Sequence, residues 1–181
     1  MARFAGSIAL LLAALACGCS SMPLSTLGRG ASFNESTFAY VDARALRVKV
    51  SLPEGFALDA AGSRLVAVAR SPEGTKRAEL ALDPLATGTG KRGGGLWSKE
   101  VAVTIFEMDL TEGSVRALRE LQREVASGKV KDVALEAKVK LGAAPEGATS
   151  ARIWVDLLMS PMEGYFPLID GGTLALDRAK S

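Results

Sequence analysis

Few side chains in this sequence could do chemistry. Histidine is absent, and the only two cysteines, Cys17 and Cys19, stand almost side by side near the start. Without histidine there is no Ser-His-Asp or Cys-His catalysis, no His-ligated metal and no untuned proton shuttle near neutral pH. The aspartates Asp42, Asp59, Asp83, Asp109, Asp132, Asp156 and Asp170 are spread singly, mostly near expected turns or strand ends. Two carboxylates converging in one cleft could hydrolyse a glycoside, so a hydrolase using Asp and Glu alone is the rival reading of function. No Ser-x-x-Lys acylation pair and no Asp-x-Asp-x-Asp-Gly calcium loop occurs. The expectation is a non-enzyme with no catalytic residue, no metal and no cofactor.

The most conspicuous stretch is Thr87-Gly88-Thr89-Gly90-Lys91-Arg92-Gly93-Gly94-Gly95. Its Gly90-Lys91 step invites comparison with a nucleotide phosphate loop. That loop needs a glycine where Leu85 stands, and a Ser or Thr for magnesium where Arg92 stands. The run reads instead as a long mobile connection between strands, with Lys91, Arg92 and the nearby Trp97 as candidate partner contacts. Arg116, Arg119 and Arg123 form a basic stripe, but Glu120 and Glu124 interleave with it, as on a solvated helix face. Trp154, Tyr165 and Phe166 could stack on a sugar, yet Asn34 and Gln122 are the only side-chain amides. A core or corner role suits these aromatics better.

The elements that must position these residues are mostly strands. Leu46, Val48, Val50 and Leu52 alternate with polar residues and end at Pro53-Glu54-Gly55, the signature of a half-buried strand and its turn. Further strands are expected at 64–70 (apolar on both faces), 78–82, 99–108, 133–141, 153–159 and 173–176. Turn residues separate them at 61–63, 71–74, 145–147 and 170–172. One segment has helical spacing instead: Val115, Leu118, Leu121 and Val125 share a face, Asp109 or Thr111 can cap the start, and Gly128 suits the end. Arg116 and Glu120 are spaced to pair along it. The fold expected is mainly β: an antiparallel β-sandwich of seven to eight strands over 37–181, with one helix at about 111–127.

Hydrophobic residues make up 48% of the 181-residue chain and charged residues 23%, the range of an ordinary globular domain. A net charge of +2 is too small an electrostatic footprint for nucleic acid. Beyond Cys19 there is no cysteine, so no disulfide can brace the domain.

The start of the chain has its own pattern. Arg3 precedes the apolar run from Ile8 to Ala16, which is too short to span a bilayer. A small residue then leads into cysteine twice, at Ala16-Cys17 and Gly18-Cys19. Over roughly its first twenty residues the sequence resembles the signal and lipobox of bacterial lipoproteins. The resemblance implies a signal peptide at 1–16, diacylglycerol on Cys17 or Cys19, and attachment to the bacterial envelope. Cys17, preceded by Leu15-Ala16, is slightly favoured; Cys19 is followed by Ser20-Ser21. In such lipoproteins an aspartate after the modified cysteine favours the inner membrane. Gly18 or Ser20 stands there, which implies the outer membrane, facing the periplasm. Residues 17–36, rich in Ser and Gly, read as a tether. The expected partners are the membrane, through this lipid, and another envelope protein.

Overall fold

The computed structural model describes residues 35–93 and 99–176. It is mainly β, with antiparallel strands and two helices. In chain order the elements are α1 (Glu35–Tyr40), β1 (Arg47–Pro53), β2 (Ala57–Leu58), β3 (Arg64–Ser71), β4 (Gly74–Arg92), β5 (Val101–Leu110), α2 (Glu112–Ala126), β6 (Asp132–Lys138), β7 (Leu141–Ala143), β8 (Ser150–Leu158) and β9 (Tyr165–Ala175). Seven strands form one nearly closed sheet in the order β6-β3-β4-β5-β1-β8-β9, and β2 pairs with β7 in a small ribbon.

The long strand β4 joins the two halves of this sheet. Its residues from Gly74 to Ala81 pair with β3, and those from Leu82 to Arg92 pair with β5, with a register shift between Pro84 and Ala86. A proline cannot donate to a ladder, which suits Pro84 to this irregularity, just past the point where β4 passes from β3 to β5. The two halves share one core. Leu65, Ala67 and Leu80 from one half meet Val48, Val50, Met108 and Val155 from the other, and α2 adds Val115, Leu118, Leu121 and Val125.

The expected helix is α2, capped as its sequence suggests. The Thr111 hydroxyl accepts from the Ser114 amide at 3.1 Å, and Gly128 lies at φ +78° beyond the last turn. Helix α1 was not anticipated; Gln122 of α2 holds it by donating to the carbonyls of Phe38 (2.9 Å) and Val41 (2.8 Å).

Three local expectations are corrected by pairing partners. The alternation over 133–141 is divided, because β6 pairs with β3 whereas Leu141 crosses to Leu58 of β2. Asp170-Gly171-Gly172 is not a turn between strands but an irregularity inside β9, where Gly171 takes φ +72° while pairing with β8 continues on either side. The Arg116–Glu120 pair is absent among the described residues, and Glu124 bonds to Lys76 on β4.

Both faces of β3 are buried, as its sequence suggests. Leu65, Ala67 and Ala69 face the shared core, while Val66 and Val68 lie on the other side, each fully buried. There Arg77 of β4 pairs with Glu136 of β6 (2.6 Å), and Lys138 of β6 pairs with Glu79 of β4 (2.6 Å). Both pairs reach over β3, and their aliphatic stems shield the valines from water. Glu79 and Glu136 are therefore half of a cross-strand lattice. Lys138 holds the Glu79 carboxyl below the usual range.

Candidate functional site

The glycine-rich stretch is a strand over most of its length. Thr87 to Arg92 pairs residue by residue with Phe106 to Val101 of β5, which corrects the expectation of a mobile connection. Glycine weakens a strand by leaving it nothing to pack with, but β5 supplies the ladder partners, and the two threonines suit extended backbone. A Cβ on Gly90 would come within 2.9 Å of Ile105 Cδ1, the far end of a side chain that can turn aside. The stretch from Leu82 to Arg92 pairs only with β5 among the described residues. Among the described residues its other edge is open.

At the end of this edge Lys91 and Arg92 part company, because adjacent strand residues point to opposite faces. Lys91 pairs with exposed Glu100 at 2.9 Å, which raises its ammonium pKa. Arg92 instead reaches over the sheet to Asp156 on β8, with its Nε donating to Ser51 Oγ of β1 at 3.3 Å. Trp97 lies outside the described residues, as do Cys17 and Cys19.

Arg92 thus belongs to a polar constellation on the sheet face opposite the core. Ser51 is fully buried and Asp156 is 7% exposed. Burial pushes the Asp156 carboxyl above its ordinary pKa of 3.8; Arg92 pulls the other way without cancelling the effect, and Asp170 adds to the rise. Next to this pair, Tyr165 of β9 donates to Glu107 of β5 at 2.5 Å. Lys49 of β1 sits 3.7 Å above the Tyr165 ring and 3.7 Å from the same carboxylate. Burial, then the Glu107 bond, raises the Tyr165 phenol, which keeps its proton at neutral pH. Trp154, which the alternation placed opposite Ile153 and Val155, is buried on this face, with the Arg152 guanidinium 5.2 Å from its ring.

Ser51, Glu107 and Asp156 were not singled out from sequence, although strand parity could have grouped them. Arg152, Trp154 and Asp156 alternate with the core residues of β8, and an acid inside so apolar a run is itself a signal. What parity cannot supply is the neighbouring strand that carries the matching base.

The other prominent surface is α2. A shallow groove of about 500 Å³ runs beside it, lined by Ala39, Arg116, Arg119, Gln122, Arg123 and Ala126 along with Glu120. A larger cleft of about 650 Å³ lies between the C-terminal end of α2 and the β3–β4 turn. The acids on that cleft are mostly taken, Glu73 by Lys129 and Glu124 by Lys76. Among the described residues no three Asp, Glu, His or Cys side chains are grouped to hold a metal ion. Nor is any described helix long and apolar enough to cross a membrane. No family model, curated protein or solved structure matches this chain.

Proposed function

We propose that this chain is a lipid-anchored protein of the bacterial envelope, non-catalytic, whose β-domain binds another envelope component. One observation carries the anchoring: the apolar run from Ile8 to Ala16 leads directly into Cys17 and Cys19, the only cysteines in the sequence. Two or three acyl chains on one cysteine hold a protein on a membrane far more firmly than one, each buried methylene contributing about 0.8 kcal/mol. The absence of aspartate at Gly18 or Ser20 favours the outer membrane on its periplasmic side. The binding role rests on the open edge of β4 from Leu82 to Arg92, whose unpaired backbone groups can accept a partner strand.

Metabolic labelling with a clickable fatty acid tests the anchor. The wild type takes up label and the Cys17→Ala/Cys19→Ala variant does not; equal labelling of both rejects the anchor. A photo-crosslinking residue at Thr89 tests the edge, with one at Ser127 as the control. Adducts to an envelope protein are expected from Thr89 alone.

The hydrolase alternative draws on the raised carboxyl of Asp156 beside Asp170. Turnover of a glycosidase, esterase or peptidase substrate that is abolished by Asp156→Asn would replace the binding reading.

A further inference from the structure

Arg116, Arg119 and Arg123 recur at intervals of three and four, so they share one exposed face of α2. Many bases elsewhere in the domain are matched to acids, among them Arg77 to Glu136, Lys138 to Glu79, Arg70 to Asp132 and Lys140 to Asp59. The unmatched Arg64, Lys99, Lys131 and Arg152 do not share one helix face with one another. Arg116, Arg119 and Arg123 make no ion pair among the described residues. Glu120 is the only acid in the groove they line, and it pairs with none of them. The helix therefore presents three free guanidinium forks toward solvent, a form suited to phosphate oxygens.

The path of the chain adds a second, independent observation. Helix α1 packs on α2, where Gln122 bonds the Phe38 and Val41 carbonyls, and its Ala39 forms part of the same groove. Glu35 begins this same six-residue helix, roughly 9 Å long, whose Ala39 lines the groove of the three arginines. The segment leading to Cys17 and Cys19 thus joins the domain beside these arginines. Tyr40, which follows Ala39, is 88% exposed, and an exposed tyrosine ring suits the headgroup level of a bilayer.

We infer that the Arg116–Arg119–Arg123 face of α2 docks on the anionic phospholipid surface of the membrane in which the chain is anchored. This orients the domain with α2 toward the headgroups. The inference rests on the lipid-anchor reading, because a tether joined at α1 is what brings this face to the bilayer. Docking α2-down leaves the opposite sheet face and its Arg92–Asp156 pair turned away from the lipid.

The test uses the full chain, processed in bacteria and reconstituted into nanodiscs of phosphatidylcholine alone or with phosphatidylglycerol added. The mass of the N-terminal peptide first reports acylation. Phenylglyoxal modification of arginines is then followed peptide by peptide, with Arg152 on the far sheet face as the internal reference. On discs containing phosphatidylglycerol, Arg116, Arg119 and Arg123 should react about fivefold more slowly than on phosphatidylcholine, Arg152 should not change, and high salt should abolish the difference. Equal rates on both discs from an acylated chain overturn the docking and leave the anchor standing. A missing acyl mass overturns the anchor and the docking with it. Protection in native envelopes that pure lipid discs fail to reproduce assigns the face to a protein partner and also overturns the inference.

Discussion

At the scale of single residues, the Arg92–Asp156 pair shows two opposing terms. Burial disfavours the Asp156 carboxylate, and the nearby guanidinium recovers only part of that cost. An acid whose folded pKa is raised binds more protons when folded. Its contribution to stability is therefore greatest below the ordinary 3.8 and declines as pH rises through the folded value. Replacing Arg92 with Gln removes the attractive term and leaves the burial. Asp156 should then titrate at higher pH than in the wild type, and its loss of stability should extend over a wider window. Carboxyl-carbon NMR titration reads this directly, and an unchanged midpoint would show that the pair does not govern Asp156. Asp59 and Glu79 act in the opposite sense. Their lysine partners hold both carboxyls low, so their stabilisation is lost as pH falls.

At the scale of elements, α2 and β4 differ in how openly their sequences declare them. The apolar stripe of α2 predicted its buried face, and Leu118 is 1% exposed. Leu118→Ala should cost about 2–5 kcal/mol, whereas Arg119→Ala, on the solvent face, should stay within about 0.5 kcal/mol; denaturant unfolding separates the two. In β4 the glycines obscured a strand, since conformational freedom reads as a turn until a partner strand is known. Gly88 is a useful probe, because nothing lies within 4 Å of a Cβ placed there. If the residue is held in a strand, Gly88→Val should raise stability by about 0.5–1 kcal/mol, through reduced freedom of the unfolded chain and better strand propensity. A neutral or destabilising result would restore the loop reading.

For the whole molecule, one core shared by both halves of the sheet implies one cooperative unit. Far-UV circular dichroism and methyl NMR signals from β3 and β8 should report a single coincident unfolding transition. Separated midpoints would divide the molecule at β4. The sequence by itself determined the mainly-β class, most strand positions, the caps and inner face of α2, and the double burial of β3. These follow from local periodicity, from turn residues and from the obligate pairing of backbone groups, which need no knowledge of distant neighbours. The sequence also carries an apolar run and two cysteines ahead of the described residues, and the leader and lipid anchor proposed for them rest on that local pattern alone. Only the tertiary structure decided that β4 spans both halves of the sheet, that Arg92 meets Asp156, and that, among the described residues, β4 leaves an edge open and α1 packs beside three unpaired arginines. Each of these depends on which strand or helix becomes a neighbour across many residues of chain. Parity places a side chain on a face, but only strand order places its partner there.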